Sequence, residues 1–462
     1  MTSLRLRSVL ALAALLSLAA PAAEPAEVLF SFDAEDFTSP ASADGVLELA
    51  RLFTQEGVVG HFALVGYMAR SFVERGRADV IEALKPHIVM THTLSHSVHP
   101  NLMEASDLED YSLAHDAVLA REAEALGMIK AATGATRVWG AVPPGNSDSY
   151  VAYYVYAELG LRYFCGASFA SHLSRDDIWF CNLRQVPYGL SWEEIFDRGE
   201  KFDADAFLDR LAKTRRSFVY CHPNKVHAKV FWDELNYKGR NLREWDRWEL
   251  SPRRPDDEAK AYLEKIRELL RRIKGDPRFR ITTLAEIDES RMPRRAMFLD
   301  DVPCVRASLE KSFGPVREPG EWSLSDCFLA AVHFLRGGKS FSPGMAYGFL
   351  SRPIGVSEPV KVRREDLVAA AKEMDVSRFL PASIRVGSVE IGPADFLMAA
   401  LEVLATGADE ATVAPRDQLG GFGPIGRLSK LRFAGTWLHS PQFEDKYLSE
   451  RMRLQIWTLR YE

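Results

Sequence analysis

Three histidines lie within eight positions of the segment THTLSHSVHP, residues 91–100, in a chain that contains only eleven histidines. His92 and His96 are four residues apart, so both imidazoles lie on one face if the segment turns helically. Two imidazoles at that spacing can bind one divalent ion through their ring nitrogens. His99 is a spare ligand, or it lines the rim of the site or forms a local hydrogen bond. The alternative for the whole segment is a solvent-exposed polar loop.

An open catalytic metal site needs a third protein ligand, which is commonly a carboxylate. The segment SFDAEDF supplies three candidates, Asp33, Glu35 and Asp36, directly after an apolar run. A hydrophobic strand that runs into three acids crowds negative charge, and a bound cation would relieve that repulsion. A solvated strand end or a helix N-cap is the alternative for these acids. Together, the histidines and the acids favour a metal site.

Short apolar strands alternate with amphipathic helices from residue 27 to about residue 290. This alternation is typical of parallel βαβ units, and we expect them to be wrapped into a barrel. Catalytic groups of such barrels lie at the carboxyl ends of the strands. We therefore expect DAED after the first strand, HTLSH after the third strand and HP after FVYC to meet at one mouth.

The chain has 462 residues, which suggests two or three domains. We divide it into an export signal (1–25), an α/β barrel (26–290), a charged linker (291–310) and a smaller, mainly α-helical C-terminal domain (311–462). With 47% apolar and 26% charged residues, the composition is that of a globular protein. The net charge of −6 is spread along the chain and gives no basic face for nucleic acid.

The first residues have the pattern of an export signal, in which Arg5 and Arg7 precede an apolar run and small residues follow at APAA. The run from Val9 to Ala20 is shorter than the roughly 20 residues that cross a bilayer, so no retained membrane span is expected. A buried N-terminal helix is the alternative. We predict an exported protein of the periplasm, the cell surface or the extracellular space.

Five cysteines are few for an exported protein of this length, and none lies in a CxxC pair. The chain is therefore not a disulfide scaffold. Cys165 with Cys181 could form one bridge, and the odd number leaves at least one thiol without an intramolecular disulfide.

Four segments, in this order and spacing, resemble the polysaccharide deacetylase family of carbohydrate esterases: VLFSFDAED, GVVGHFALVGYMA, HIVMTHTLSHSVHP and SFVYCHP. The likeness covers residues 27–290, and the family's H-[ST]-x-x-H motif occurs once, from His92 to His96. It implies a deformed (β/α) barrel and metal-dependent removal of acetyl groups from N-acetylated sugars, with Zn²⁺ as the expected ion. Asp33 matches the family's general base, His92 and His96 match metal ligands, and His222 matches the late histidine that acts as general acid.

The acidic pair departs from the family pattern. The usual member has two adjacent aspartates, the base and then a ligand, whereas Ala34 follows Asp33 here. Side chains two apart at a strand end share a face, so we assign the third metal ligand to Glu35, with Asp36 in reserve.

The family's Arg-x-Pro-Tyr motif should fall at AVPPGN, residues 141–146, which contains no arginine. That arginine normally orients the base, so the resemblance predicts either weak activity or a replacement by Arg137 from upstream. The tyrosine position, whose backbone N–H helps to hold the oxyanion, becomes Pro144 or Gly145, and only glycine keeps that donor. We assign both residues to substrate binding, together with Trp139, whose flat ring suits a sugar face.

A long polar insertion beside His222, VFWDELNYKGRNLREWDRWEL, is a candidate substrate rim or lid. Further on, the helices DCFLAAVHFLRGG and ADFLMAALEVLATG share a short pattern in which Phe328 corresponds to Phe396, and we interpret it as a weak duplication. The C-terminal part distantly resembles pseudomurein-binding-type wall-binding repeats, which implies contact with a cell-wall glycan.

These features predict a metal-dependent polysaccharide deacetylase, an amide hydrolase whose partner is an N-acetylated polysaccharide or a peptidoglycan-like glycan. The main alternative is a catalytically weak or inactive barrel that binds envelope glycan, because the arginine is missing and the acidic pair is altered. A second alternative keeps the enzyme but changes the bond to another amide or an O-acetyl ester. No nucleic-acid partner is expected.

Overall fold

The computed structural model describes residues 24–146, 148–166, 177–236, 245–289, 293–420, 438–440 and 442–461. The predicted export signal therefore lies outside the described residues, except for residues 24 and 25. In the described part of the chain, no helix is long and apolar enough to cross a membrane.

The first part of the chain alternates strands and helices, as the sequence predicts. Its strands are β1 (Ala26–Ala34), β2 (His61–Leu64), β3 (Ile88–Thr91), β4 (Gly140–Ala141), β5 (Tyr163–Cys165), β6 (Ile178–Phe180), β7 (Leu183–Val186), β8 (Tyr188–Ser191), β9 (Arg216–Cys221) and β10 (Phe279–Ile281). Its helices are α1 (Pro40–Gln55), α2 (Gly66–Glu74), α3 (Ala78–Leu84), α4 (Leu102–Ser106), α5 (Tyr111–Thr133), α6 (Tyr150–Glu158), α7 (Glu194–Asp197), α8 (Ala204–Leu211), α9 (Asn224–His227), α10 (Trp232–Asn236), α11 (Asp256–Gly275) and α12 (Leu284–Glu289).

These strands form one curled, mostly parallel sheet. Their order is β6-β7-β5-β4-β3-β2-β1-β9-β8, and β10 pairs with the start of β1. The chain runs from β7 into β8 through Pro187, so that β7 pairs with β5 while β8 pairs with β9. This bent segment joins the two ends of the curled sheet. The predicted fold class, a deformed α/β barrel of mainly parallel strands, is therefore confirmed.

Side chains of β1 alternate between two apolar clusters. Phe30 and Phe32 pack outwards against helix α1, whereas Leu29 belongs to a separate cluster inside the barrel. Because alternate residues of a strand share a face, Ser31 and Asp33 follow Leu29 up the interior. The other interior residues come from neighbouring strands and from α12, which closes the end opposite the carboxyl ends of the strands: Ala63, Ile88, Met90, Val142, Tyr163, Cys165, Val186, Phe218, Leu284 and Ile287.

All five cysteines are free thiols. Cys165 lies in the interior cluster and Cys181 in the outer core, so the bridge between them that the sequence left open does not form. Of the five, only Cys304 is exposed.

The rest of the chain contains helices together with small sheets. Its elements are β11 (Met297–Phe298), α13 (Val302–Lys311), α14 (Leu324–Leu335), β12 (Ser340–Phe341), β13 (Val360–Arg363), α15 (Arg364–Glu373), β14 (Ile384–Val386), β15 (Val389–Ile391), α16 (Pro393–Thr406), β16 (Glu410–Val413), α17 (Leu448–Leu454) and β17 (Arg460–Tyr461). The first of two successive units has the order strand, helix, helix, strand, and the second has the same order with the hairpin β14–β15 between its helices. The outer strands of each unit pair antiparallel, β11 with β12 and β13 with β16. The region is thus less purely helical than the sequence predicts.

The two units meet through their second helices. The rings of Phe328 in α14 and Phe396 in α16 lie 5.6 Å apart. Both helices begin with a buried aspartate at the third position, Asp326 and Asp395. Counted from these aspartates, Phe328 corresponds to Leu397, one position away from the correspondence indicated by the sequence.

The end of the chain returns to the barrel, where β17 pairs antiparallel with β6. The hydroxyl of Tyr154 in α6 donates to Oε1 of Gln455 at 2.6 Å. The predicted linker, residues 291–310, contains β11 and most of α13. The C-terminal part is therefore joined to the barrel by strand pairing and buried polar contacts.

Candidate metal and catalytic site

Three strands of the barrel end at the same place. Asp33 is the penultimate residue of β1, His92 directly follows β3, and His222 directly follows β9. β1 pairs with β2 on one side and β9 on the other, and β3 lies next to β2. The acids and histidines that the sequence predicts to meet at one mouth are therefore brought together.

Glu35, His92 and His96 form a buried cluster at this mouth. The Nε2 atoms of His92 and His96 lie 3.2 and 3.0 Å from Oε2 of Glu35. One possible ligand atom from each residue lies within 4.8 Å of the other two, and no residue of the three is more than 3% exposed. Glu35, two residues after Asp33, is thus the acid that reaches both histidines.

This donor set fits a divalent metal ion. Ligand atoms about 2.0–2.1 Å from a tetrahedral ion lie about 3.3 Å apart, which is close to the distances from Glu35 to the two imidazoles. Nδ1 of His92 lies 2.9 Å from the carbonyl oxygen of Val142, and donation from this nitrogen leaves the lone pair of Nε2 for a metal. Two imidazoles and one carboxylate also leave coordination positions open for water and substrate. The identity of the ion as Zn²⁺ stays a prediction.

The charges around the cluster keep Glu35 ionised. Burial raises the pKa of Glu35, but the charges of His96 and His222 and the hydrogen bonds from His92 and His96 hold it well below its ordinary value. The ionised carboxylate is the form that binds a cation.

The segment that carries the two histidines is an irregular loop and not the helical turn that their spacing suggests. Thr93 and His96 have φ angles of 68° and 51°, a left-handed conformation that costs about 1–3 kcal/mol for residues other than glycine. The start of α2 holds this loop, because the N–H of Gly66 donates to the carbonyl of Thr93 and the N–H of Tyr67 to that of Leu94, at 2.9 and 3.0 Å. The strained loop is thus fixed by a neighbouring helix, with both imidazoles against the carboxylate.

Asp36, the reserve ligand, is occupied elsewhere. Its carboxylate accepts hydrogen bonds from the hydroxyl groups of Thr38 and Ser42, at 2.6 and 2.7 Å, and from the N–H groups of Thr38 and Ser39. Asp36 therefore stabilises the turn that precedes α1, but it is not the helix N-cap considered as the alternative for these acids, because Ser39 occupies that position. Consecutive residues at a strand end point to opposite faces, which explains why Glu35 reaches the histidines and Asp36 does not.

Asp33 lies beside the cluster and is held by a tyrosine. The hydroxyl of Tyr188 donates to Oδ1 of Asp33 at 2.6 Å, and the hydroxyl of Ser31 lies 3.4 Å from the same oxygen. Burial raises the pKa of Asp33, while the charges of His92 and His222 and the hydrogen bond from Tyr188 oppose that rise. Tyr188 thus supplies a neutral donor to Asp33, where the family pattern leads one to expect an arginine.

His222 is the second titratable group beside the cluster. Its Nε2 lies 3.9 Å from Oδ2 of Asp33 and 4.0 Å from Oε2 of Glu35. Its Nδ1 lies 2.6 Å from Oε1 of Glu193, whose other oxygen accepts a hydrogen bond from Nζ of Lys225 at 2.8 Å. Burial lowers the pKa of His222, but the carboxylates of Glu193, Glu35 and Asp33 raise it to about 10. These carboxylates therefore keep His222 protonated near neutral pH.

Sequence reasoning missed Tyr188 and Glu193. Glu193 follows β8 by two residues, so the signal that singled out Asp33, an acid at the carboxyl end of a strand, could have found it. Burial raises the pKa of Glu193, but His222 and Lys225 lower it to about 2. Tyr188 carries no such signal, because its contact with β1 depends on the closure of the barrel at Pro187.

Trp139 and Arg137 lie at the opposite end of the barrel. The N–H of Trp139 donates to the carbonyl of Val89, three residues before His92. At about 3.3 Å per strand residue, Trp139 lies roughly 10 Å from the cluster of Glu35, His92 and His96, towards the amino ends of the strands. Arg137 stacks on the Trp139 ring at 3.9 Å and donates to Oδ2 of Asp288 at 3.2 Å. The structure does not bring either residue to the site, because both precede β4 instead of following it.

Pro144 and Gly145 follow β4 at the carboxyl edge, in a short 3₁₀ turn over Pro144–Asn146. Val142, two residues before Pro144, contacts His92, so this loop borders the cluster of Glu35, His92 and His96. Gly145 has a φ of 53°, a conformation that glycine adopts without steric cost. Substrate binding by Pro144 or by the Gly145 N–H stays a prediction.

No family model and no curated protein matches the sequence. Among solved structures, the chain is similar to a Mycobacterium smegmatis protein named as a polysaccharide deacetylase, with 16% identity over 58% of this chain and 91% of that chain and a TM-score of 0.38. It is also similar to a carbohydrate esterase family 4 (CE4) pseudoenzyme from Bacillus anthracis, with 12% identity over 56% of this chain and 70% of that chain and a TM-score of 0.28.

A third similar structure is the 4-α-glucanotransferase of Thermococcus litoralis, with 9% identity over 59% of this chain and 41% of that chain and a TM-score of 0.39. The chain therefore has structural similarity to CE4 proteins over a little more than half of its length. These similarities concern the fold, and the function of the chain depends on its own side chains. The wall-binding resemblance of the C-terminal part stays a prediction.

Proposed function

We propose that the protein is an exported, metal-dependent hydrolase that removes N-acetyl groups from amino sugars of a polysaccharide or peptidoglycan-like envelope glycan. The observation that carries this proposal is the convergence of Glu35, His92 and His96 next to the carboxylate of Asp33 and the imidazole of His222. Amide hydrolysis needs a polarised carbonyl, a base for water and an acid for the leaving amine, and these side chains can supply all three.

Glu35, His92 and His96 would hold the metal ion. A divalent ion bound there supplies a Lewis acid that polarises the acetyl carbonyl and acidifies a water ligand. Asp33 accepts the proton of the attacking water while the hydroxyl of Tyr188 fixes the orientation of its carboxylate. Oxygen adds to the carbonyl carbon, and the negative charge that develops there lies next to the positive His222.

His222 completes the reaction as the general acid. Its Nε2 faces Asp33 and Glu35, while Glu193 holds its Nδ1 proton, so the proton on Nε2 is the one available for transfer. Transfer of this proton to the amide nitrogen allows the C–N bond to break. Acetate and the free amine of the sugar are the products, and the proton taken by Asp33 returns to solvent or to His222.

Half-buried aromatic rings at the mouth support a sugar as the substrate. The ring of Phe231 packs edge-on against His222, with the ring centres 4.8 Å apart. Tyr220 stacks on Tyr188 at 4.4 Å. Flat apolar rings with polar edges suit the faces of pyranose rings. Export is supported by the composition of the first 25 residues, and it agrees with an envelope glycan as substrate.

A glycan-binding barrel without catalytic activity is the second candidate function. It is favoured by one observation, the absence of arginine from residues 141–146 next to the metal cluster. The contact between Tyr188 and Asp33 weighs against it, because the base keeps a donor of its own.

Metal analysis combined with acetate release tests the proposal. The full chain is incubated with N-acetylated chitooligosaccharides or peptidoglycan, with and without a chelator, and bound metal is measured by mass spectrometry. We expect about one divalent ion per wild-type chain and loss of both metal and acetate release in His92→Ala.

His99→Ala is the matched control in the same segment. Nδ1 of His99 lies 2.7 Å from Oε2 of Glu104, which is the local hydrogen bond considered from the sequence. This variant should keep both the metal and the activity. Glycan binding without acetate release would favour the second candidate, and a wild-type chain that binds no divalent ion would exclude the proposed chemistry.

A further inference from the structure

Trp232 contacts the cluster formed by Glu35, His92 and His96. It starts α10, in the insertion that follows His222, and its side chain is almost fully buried, at 1% exposure. Its indole Nε1 donates a hydrogen bond to Oε1 of Glu35 at 2.8 Å. The other carboxylate oxygen, Oε2, is the one that faces the Nε2 atoms of both histidines. The two oxygens of one carboxylate therefore have separate partners.

We propose that Trp232 is a positioning residue of the metal centre, which fixes Glu35 as a ligand through Oε2 alone. This inference rests on the metal site of the proposed function. A glutamate side chain has three rotatable bonds, and ordering it on metal binding costs conformational entropy. The indole N–H can only donate, so it holds the ionised carboxylate in place before any ion binds. Outer partners of this kind orient metal ligands and tune affinity.

The position of Trp232 is itself fixed by aromatic packing. Its ring centre lies 5.1 Å from that of Trp248, 5.7 Å from that of Phe37 and 5.5 Å from that of His96. These contacts come from the C-terminal end of the insertion, from the turn after β1 and from the loop that carries His92 and His96. The indole therefore cannot rotate away from Glu35 without disrupting several buried contacts.

The base of the insertion is closed by hydrogen bonds. Ala228 bridges to Arg253, and the N–H of Lys229 donates to the carbonyl of Pro252 at 2.9 Å. Nearer to Trp232, Nδ2 of Asn236 donates to the carbonyl of Glu249 at 2.9 Å. The described part of the insertion is thus anchored at the metal centre, which adds a structural role to the substrate rim or lid predicted from the sequence.

Zinc titration of Trp232→Phe against Trp248→Phe tests this inference. The full-length chain is stripped of metal with a chelator, and Zn²⁺ affinity is measured by competition with a chromophoric chelator while tryptophan emission is recorded. Trp248→Phe is the matched control, because it also removes one buried indole from the same aromatic cluster and leaves the donor to Glu35 in place.

We expect Zn²⁺ affinity to fall about 10- to 100-fold in Trp232→Phe and to change by less than about threefold in Trp248→Phe. The change in tryptophan emission on zinc binding should be lost in Trp232→Phe and kept in Trp248→Phe, because the indole of Trp232 contacts the ligand carboxylate and therefore senses the ion. If Trp232 contributed only packing, both substitutions would change Zn²⁺ affinity by a similar factor, and the loss of the emission change would not be specific to Trp232→Phe.

The outcomes separate this inference from the proposed function. If the wild-type chain binds zinc and Trp232→Phe binds it equally tightly, Trp232 does not position Glu35, although the metal site stands. If the wild-type chain binds no divalent ion, both proposals fail. Should Trp232→Phe not fold, 3-benzothienylalanine at position 232 keeps the ring shape and removes only the N–H, and unchanged affinity in that variant would equally overturn the inference.

Discussion

Nδ1 of His222 and Oε1 of Glu193 lie 2.6 Å apart, and this contact keeps a proton on the candidate acid. Burial opposes the charge of His222, and Glu193 contributes most among the carboxylates that raise its pKa to about 10. We expect Glu193→Gln to lower this pKa. Because a general acid acts only while it is protonated, acetate release should then be lost at a lower pH on the alkaline side than in the wild type. The pH–rate profile of acetate release measures this shift.

Glu194→Gln provides the control for that experiment. Glu194 is the next residue, and its carboxylate accepts a hydrogen bond from Nη2 of Arg210 at 2.6 Å. This variant should leave the alkaline side of the pH–rate profile at the same pH as in the wild type. An alkaline limb that is identical in Glu193→Gln and the wild type would contradict the role assigned to Glu193.

Tyr188→Phe removes the donor from the candidate base. A hydrogen bond to a charged group contributes about 1.5–3 kcal/mol, so we expect kcat to fall about 10- to 100-fold. KM should change little, because Tyr188→Phe keeps the aromatic ring and removes only the hydroxyl that donates to Asp33. Steady-state kinetics of acetate release measure both constants. Tyr220→Phe is the control, because it removes the hydroxyl from the ring that stacks on Tyr188 at 4.4 Å. A change confined to KM would show that Tyr188 does not orient the base.

The parts of the site that were predictable follow from strand periodicity and barrel topology. Glu35 could be assigned as the third ligand because it lies two residues after Asp33, and alternate strand residues share a face. His92 and His222 could be placed at the same mouth because both follow parallel strands directly. The same rule, applied to the carboxyl side of β8, would have included Glu193.

The parts that were not predictable depend on contacts between distant segments. The hydrogen bond from Tyr188 to Asp33 exists because the chain bends at Pro187 and closes the barrel. The spacing of His92 and His96 suggested a helical turn, whereas two left-handed residues are held in place by the start of α2. Trp139 was assigned to substrate binding, but it directly precedes β4 and therefore lies at the end of the barrel opposite the site.

Gly45 is required where α1 packs against the turn that follows His222. A Cβ atom at position 45 would lie 2.1 Å from the carbonyl oxygen of Pro223, which is backbone and cannot move aside alone. We expect Gly45→Ala to lower the free energy of unfolding by about 1–3 kcal/mol and to displace His222. Urea denaturation and acetate release measure the two effects.

The contrasting substitution is Gly127→Ala in α5. A Cβ atom there meets no atom within 4 Å, so the variant should gain about 0.5–1 kcal/mol from helix propensity. A Gly45→Ala variant as stable as Gly127→Ala would contradict the close approach of α1 to Pro223.

Glu122 in α5 makes stability depend on pH. It is fully buried beside the loop that carries His92 and His96, and it accepts a hydrogen bond from the hydroxyl of Tyr156 at 2.8 Å. Burial raises the pKa of Glu122 from 4.5 to about 7 in the folded chain. The folded state therefore favours the neutral carboxyl group, whereas the unfolded chain ionises at its ordinary pKa.

The sign of the effect follows from this difference. Below pH 4.5 the carboxyl group is protonated in both states, and between 4.5 and about 7 the unfolded chain loses its proton first. The free energy of unfolding should therefore fall across this window, by about 3 kcal/mol in total. Glu122→Gln cannot ionise, so its advantage over the wild type should grow as the pH rises through the window. Urea denaturation on both sides of the window measures this growth, with the exposed Glu124→Gln as control, and a difference that stays constant with pH would exclude a neutral buried Glu122.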